Sequence, residues 1–296
     1  MHQYLAAIGF KHTLHSEREL ELLLDNLYHT GDERIAVRED EGRAYLEIVK
    51  RFGPHIGIRL YGEMDAHGFH RTYYFPYFEG TGITSSEELS VEMQADGHGY
   101  LAMLDDGRIG VSLIYYLLNQ GQYHKAYPLG VMDETHPATT LSALSSGGAI
   151  LLPIDGKDEL KQQAEERDEY YRRHDALVLA ARNGSEEAME SLTLEDMDTY
   201  AMLSRRMQYE DVLTIVDTYF MPYGLQSDQY QIMGTILFYA NVRNSLTGEK
   251  LVQLTVECNG MTFDVCINRE DLLGDPETGR RFKGNIWLQG RIAFQE

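Results

Sequence analysis

The spacing of apolar residues changes along the chain, and each spacing predicts a different kind of element. Ser16 and Glu19 stand at capping-box spacing ahead of the leucine-rich stretch 20–27, and Gly31 follows it. Beyond this stretch, apolar and polar residues alternate in the segments 44–52, 56–64 and 89–95. Alternation with a period of two is typical of strands with one buried face. The pattern therefore predicts one N-terminal helix followed by antiparallel sheet.

Asn259-Gly260 predicts a β-hairpin with a two-residue type I′ turn, in which both central residues have positive φ. Folding the chain about this turn pairs Cys258 with Met261 and Val256 with Phe263, which makes one face wholly apolar. The register set by the turn therefore also buries every apolar residue on one face. A shift of one residue would turn that face to solvent.

Two other turn-like sequences predict further reversals of the chain. Asp106-Gly107 predicts a second type I′ turn that joins 100–104 to 109–118. Ser145–Gly148 predicts a turn ahead of the apolar segment 149–154.

Residues 157–207 are rich in charged residues and alanine, with apolar positions at helical spacing. Asn183-Gly184 is a stop signal within this stretch, and Ser185 restarts the helical pattern. We predict an α+β fold in three parts: a β-rich domain with one N-terminal helix at 1–155, a helical connector at 156–208, and a small β-barrel-like domain at 209–296. About five strands, with a helical turn near 270–273 before the last, are typical of SH3-like or OB-like barrels.

Charge and composition exclude several classes of function. The chain carries 47 acidic and 26 basic residues, a net charge of −21 spread over both halves. Such a surface repels phosphate backbones, which makes nucleic acid an unfavourable partner. There is no secretory signal pattern and no apolar run of membrane-spanning length, and two cysteines are too few for a disulfide framework. We therefore expect a cytoplasmic protein that does not enter the membrane.

The sequence contains none of the common catalytic motifs, such as a phosphate-binding P-loop, H-E-x-x-H, G-x-S-x-G or C-x-x-C. His67 and His70 flank Gly68 in a predicted turn, with Asp65 as the nearest further candidate. A zinc site needs at least three convergent ligands in a defined geometry, so no metal is predicted. The aromatic run 73–78 predicts a strand that is covered on both faces. A ligand pocket or a partner surface is the alternative interpretation of these rings.

A short basic segment near the C-terminus contrasts with the negative charge of the rest of the chain. The residues predicted to bind a ligand are Arg280, Arg281, Lys283, Trp287 and Arg291. Their types and spacing would suit a small anion held by guanidinium groups beside a ring. In the alternative interpretation, Asp271, Asp275 or Glu277 neutralises the arginines within the same loop, and Trp287 lies at a contact between domains.

Four segments carry a resemblance to a known family. They are Tyr4–Phe10, Ile215–Gly224, Cys266–Leu272 and Gly279–Gly290. Together they resemble an uncharacterised, full-length domain-of-unknown-function family of anaerobic Firmicutes (Clostridia). The resemblance implies a bacterial source and a cytoplasmic location. It brings no activity, cofactor or catalytic residue.

Two classes of function remain. The first is a non-enzymatic binding or adaptor protein whose partner is a small anionic ligand or another protein. The second is an enzyme of unrecognised type, a hydrolase or transferase acting on a small anionic substrate. The sequence indicates no cofactor and no oligomeric state. Convergent His, Asp, Glu or Ser side chains in a cleft would favour the enzyme, whereas an aromatic surface without them would favour binding.

Overall fold

The structure is a computed structural model of the 296-residue chain. It describes residues 2–40, 43–95, 97–109, 112–127, 132–152, 183–194 and 216–294, together with a few helical positions between 173 and 197. Within this part of the chain the protein is rich in antiparallel β-structure and has few helices, as the α+β prediction requires.

The N-terminal part begins with a short 3₁₀ helix, Gln3–Ile8, and the α-helix α1, Glu17–Thr30. The predicted capping box begins α1, because Ser16 and Glu19 bond to each other's backbone N–H groups. Helix α1 buries one leucine-rich side, as its sequence pattern predicts. The first sheet is an antiparallel meander of β1 (Glu33–Asp40), β2 (Arg43–Gly53), β3 (Ile56–Asp65) and β4 (Gly68–Phe78).

The second sheet has 11 strands and contains strands from both ends of the chain. Its N-terminal strands are β5 (Glu88–Met93), β6 (Tyr100–Asp105), β7 (Leu113–Leu117), β8 (Met132–Thr135) and β9 (Thr139–Leu151). Its C-terminal strands are β10 (Tyr219–Pro222), β11 (Gln229–Arg243), β12 (Lys250–Cys258), β13 (Met261–Asn268), β14 (Leu272–Leu273) and β15 (Arg281–Ile292). A short helix, α2 (Gln120–Ala126), follows β7.

Five strands of this sheet close into a barrel in the order β11–β12–β13–β9–β15, because β15 pairs back onto β11. All contacts around the barrel are antiparallel except the one between β13 and β9. The barrel confirms the prediction of a small closed β-structure. However, the C-terminal part 209–296 supplies four of the five barrel strands, and the fifth is β9, which lies before residue 155. The division into three domains stays a prediction.

The Asn259-Gly260 hairpin is confirmed in both turn type and register. Both residues have positive φ, 51° and 78°, and the pairs Cys258–Met261 and Val256–Phe263 face each other between β12 and β13. Most of the predicted connector 156–208 lies outside the described residues. Where it is described, Gly184 has a φ of 87° and the hydroxyl of Ser185 caps the helical stretch 186–194.

The other two turn predictions are wrong. Leu104 pairs with Leu113, so the connection after β6 is longer than a two-residue turn at Asp106-Gly107. Ser145–Gly148 lies within β9, in continuous register with β15 apart from one bulge.

Alternation along the barrel strands divides the apolar residues between two cores. Val265 and Ile267 belong to the core inside the barrel. Cys266 and Trp287 point outwards, into a second core shared with α1, the 3₁₀ helix and the first sheet. The amide of Gln289 joins the two parts, because it accepts from the Phe78 N–H and donates to the Pro76 carbonyl, both at 3.0 Å. The outer face of β15 is therefore an internal contact surface.

Candidate functional site

A cavity of about 900 Å³ lies where the first sheet, the 3₁₀ helix and the outer face of the barrel meet. Its volume is within the range of small-molecule sites. Eight of its lining residues carry rings: His2, Tyr4, Tyr73, Tyr74, Phe75, His98, Tyr116 and Trp287. They come from segments that are distant in the sequence, so the cavity exists only in the folded chain.

Trp287 forms the deep wall of this cavity and is 4 % exposed. Its indole N–H donates to Oδ2 of Asp228 at 2.7 Å. The ring of Tyr4 stacks on it with 5.4 Å between centroids and 23° between planes, and the Tyr116 ring is tilted at 5.1 Å. The indole is therefore fixed on several sides, and its surroundings change if a ligand enters.

Asp228 lies directly before β11, and its backbone carbonyl accepts from the Leu288 N–H on β15 at 2.9 Å. This bond holds the carboxyl group beside the indole. Burial raises the pKa of Asp228, and the hydrogen bond from Trp287 offsets part of that effect. Burial also raises the pKa of Tyr4, with a further contribution from the Asp228 charge.

His2 closes the cavity from the side of the 3₁₀ helix. Its ring lies 4.8 Å from the Trp287 ring, and its backbone N–H donates to the Tyr74 hydroxyl at 3.1 Å. The ring nitrogen Nδ1 accepts from the Tyr4 N–H at 3.4 Å and so caps the 3₁₀ helix. Burial lowers the pKa of His2 to about 4, which makes the imidazole neutral at pH 7.

A buried polar network supports the opposite wall. The Tyr73 hydroxyl donates to Oε1 of Gln120 at 2.7 Å, and the Tyr73 ring stacks on Tyr61 at 4.9 Å. Behind these rings, Arg59 forms ion pairs with Glu47 and Glu79, and all three side chains are largely shielded from solvent. These ion pairs link β3, which carries Arg59, to Glu47 on β2 and to Glu79 just after β4.

The described side chains of the cavity wall include one acidic group, that of Asp228, and no lysine or arginine. Its side chain bonds to Trp287, and that of His2 bonds to the backbone, so both fix the wall of the cavity. The geometry suits retention of a ligand between rings beside a single acidic group.

Trp287 lines the cavity, whereas the four basic residues predicted to bind a ligand with it do not: Arg280, Arg281, Lys283 and Arg291. Arg281 begins β15 and Trp287 is six residues further on, roughly 20 Å along the strand. Arg280 contacts Glu277 at 2.5 Å, the counter-charge expected in the structural alternative. Arg281 donates to the Val216 carbonyl at 3.0 Å.

Lys283 and Arg291 are both half-buried on β15, and neither lines the cavity. Lys283 is paired in register with Met233 and Ala149, and Arg291 with Thr140. Anion binding by the basic residues stays a prediction.

The Asp65, His67 and His70 side chains have local roles in the turn between β3 and β4. Asp65 accepts from the His67 backbone N–H at 2.7 Å and lies 3.3 Å from Nε2 of His70. Across the described part of the chain, no three His, Cys, Asp or Glu side chains are grouped for a metal ion.

Sequence reasoning found part of this cavity. The aromatic run 73–78 and Trp287 were both singled out, the run with a ligand pocket as its alternative. Tyr4 and Asp228 were missed, because their relation to Trp287 depends on how the 3₁₀ helix and the turn before β11 pack on the barrel. A lone buried aspartate ahead of a strand has no local sequence signal.

A closed five-stranded barrel, a separate antiparallel sheet and an aromatic cavity between them define a β-rich protein with an aromatic site of small-molecule size. The chain belongs to the family described as "Domain of unknown function, E. rectale Gene description (DUF3881)", whose model matches residues 5–290. This confirms the resemblance to an uncharacterised family that spans nearly the whole chain. No curated protein and no solved structure matches it. In the described residues, no helix is both long and apolar enough to cross a membrane.

Proposed function

We propose that this protein is a non-enzymatic binding protein whose aromatic cavity holds a small organic molecule. The observation that carries the proposal is the cavity itself, which measures about 900 Å³ and is lined by eight ring-bearing residues. Rings offer large apolar contact area at low cost in side-chain entropy, and the few polar groups beside them orient a ligand.

The chemistry of the wall favours binding over catalysis. A hydrolase or transferase would need a nucleophile or a general base with a partner that tunes it. In this cavity the hydrogen bonds of Asp228 and His2 go to Trp287 and to the Tyr4 backbone, which fixes the rings in place. The enzyme of unrecognised type is therefore the less supported class.

The location and the barrel type belong to the same proposal. We place the protein in the cytoplasm, since Cys258 and Cys266 are both unpaired, buried thiols, as suits a reducing compartment. We also relate the barrel to SH3-like and OB-like barrels, on the grounds of its five strands and of the 3₁₀ turn Arg269–Asp271 before the last long strand. Those folds commonly carry ligands on their outer surface.

The test uses the fact that Trp287 is the only tryptophan of the chain. A metabolite screen read by tryptophan emission reports on the cavity directly, and a thermal-shift screen of the same compounds reports on stability. A ligand at about a hundred times its dissociation constant should stabilise the fold by roughly 2.7 kcal/mol. We expect hits that act in both measurements.

A matched pair of tyrosine variants places the hits in the cavity. Tyr74 lines it, whereas Tyr239 on β11 is 36 % exposed and does not. Tyr74→Ala should abolish the response to a hit, and Tyr239→Ala should leave it unchanged. A screen without hits, or a hit whose response survives Tyr74→Ala, would overturn the proposal.

A further inference from the structure

The cavity wall combines electron-rich rings with one buried acidic group and no basic side chain among its described residues. Asp228 is 6 % exposed, and its Oδ2 accepts from Trp287 at 2.7 Å. A carboxylate has two oxygens and room for about four hydrogen bonds, so the indole N–H and the backbone N–H of Asp228 itself leave about half of this capacity unused. No lysine or arginine among the described lining residues compensates Asp228, and a buried carboxylate is unfavourable unless a positive charge is supplied to it.

We propose that the ligand of this cavity carries an organic ammonium group, held by the Asp228 carboxylate and by the faces of the surrounding tyrosine rings. This inference rests on the proposed function and names the chemical class of the ligand. Ring faces are negative, so they attract an ammonium group within about 6 Å, and a carboxylate beside them adds a direct charge interaction. Tyr73 and Tyr74, both half-buried, present rings to the cavity.

The net charge of the whole molecule also favours a cationic ligand. The net charge is −21, which raises the local concentration of cations around the protein. A small anion, by contrast, would enter a cavity whose described wall has a carboxylate and no lysine or arginine. Burial raises the pKa of Asp228, as expected where no positive side chain compensates the carboxylate. The site is therefore suited to a cation more than to the anionic ligand expected from the sequence.

Three probes that have nearly the same shape but different charges test whether the charge or the shape of a ligand determines its binding. Choline carries a trimethylammonium group, 3,3-dimethyl-1-butanol replaces its nitrogen with carbon, and 3,3-dimethylbutyrate is the corresponding anion. Each is titrated into the full chain at constant ionic strength, with Trp287 emission as the readout. We expect choline to change the emission and to bind about tenfold or more tightly than the neutral alcohol, with no response to the anion.

Two asparagine variants isolate the carboxylate. Asp228→Asn removes the charge but keeps an oxygen that can accept from the indole N–H, so the fold should be retained. Asp217→Asn removes one charge at an exposed position outside the cavity. Asp228→Asn should weaken choline binding about tenfold, whereas Asp217→Asn should leave it within about twofold. Melting temperatures and near-ultraviolet circular dichroism of both variants check that the fold is intact.

The outcomes separate this inference from the proposed function. Equal responses to choline and the neutral alcohol, or choline binding unaffected by Asp228→Asn, would overturn the ammonium assignment. If none of the three probes changes the Trp287 emission but the wider screen finds a neutral or anionic ligand, the ammonium assignment is wrong and the proposed binding function is retained. If neither experiment finds a ligand, both fail. If Asp228→Asn does not fold, the comparison of the three probes on the natural chain decides alone.

Discussion

Trp287 shows how far a single residue can be predicted from its strand. Alternation along the last strand correctly places it opposite Ile286 and Leu288, which belong to the barrel interior. The sequence predicts either an anion site beside Trp287 or a contact between domains there, and the structure covers this face with β4 and the 3₁₀ helix. Gln289, on the same face, is completely buried for this reason. Periodicity identifies the face of a strand but does not identify what lies against that face.

The basic segment at the start of β15 yields a prediction at the scale of single residues. If Arg281 contributes to an anion site, phosphate should raise the melting temperature above that measured in chloride of equal ionic strength, because an added anion compensates clustered cations. Arg281→Ala should remove this difference. Differential scanning fluorimetry measures both.

Arg34 provides the matched control for that experiment. Its guanidinium donates to the Tyr28 carbonyl at 2.6 Å, as that of Arg281 donates to the Val216 carbonyl at 3.0 Å. Arg34→Ala therefore removes a comparable bond without touching the basic segment, and it should keep the phosphate effect. A natural chain that melts at the same temperature in phosphate and in chloride would leave the arginines with a structural role only.

At the scale of elements, two turns of similar sequence have different outcomes. Asn259-Gly260 forms the predicted turn, since the residues on either side pair in a fully apolar register. Asp106 is instead 1 % exposed, and its carboxylate accepts from the Ser85 hydroxyl at 2.7 Å and from Arg108. Arg108 also donates to the Gly260 carbonyl at 3.0 Å, so this loop is tied to the other hairpin. Such long-range bonds override a local turn preference.

One of the two glycines in Ser145–Gly148, Gly148, has a packing role within strand β9. A Cβ at Gly148 would lie 2.4 Å from Cε2 of Phe282, a fully buried ring of the barrel. A Cβ at Gly147 would meet nothing closer than 4.0 Å. Gly148, which is part of a turn-like sequence, thus allows β9 to approach β15 closely.

This difference predicts unequal effects of the same substitution at adjacent positions. Gly148→Ala should lower the free energy of unfolding by about 1–3 kcal/mol, because the added methyl group overpacks against the Phe282 ring. Gly147→Ala should change it by less than about 0.5 kcal/mol. Urea denaturation of the two variants measures the contrast.

A second substitution tests whether Phe282 is the cause. In the double variant Gly148→Ala/Phe282→Leu, the smaller leucine side chain leaves room for the added methyl group. The double variant should therefore lose less free energy of unfolding than the sum of the losses in the two single variants. If Gly147→Ala and Gly148→Ala lower the free energy of unfolding equally, the close approach of β9 and β15 is not the reason for glycine at position 148.

At the scale of the molecule, the sequence predicts elements better than it predicts their partners. The N-terminal helix, the early strands and the C-terminal hairpin follow from local spacing, and the prediction of a small closed barrel is also right. The strand that completes the barrel is β9, which pairs in parallel with β13 and antiparallel with β15. Pairing between strands so distant in the chain has no local pattern, and the same holds for the contacts of Tyr4 and Asp228 with Trp287.

The closure of the barrel by β9 leads to a prediction about the predicted domain boundaries. A fragment of residues 209–296 has β11, β12, β13 and β15 but lacks the strand between β13 and β15, so it exposes two strand edges and part of the barrel core. We expect this fragment alone to be insoluble or to unfold without a cooperative transition. Co-expression with residues 1–155, which contain β9, should give a soluble complex of the two fragments. Co-purification and circular dichroism melting measure these outcomes, and co-expression with residues 1–138, which end before β9, is the control that should not rescue. A fragment 209–296 that melts cooperatively by itself would instead establish the C-terminal part as an independent domain, since its barrel would then close without β9.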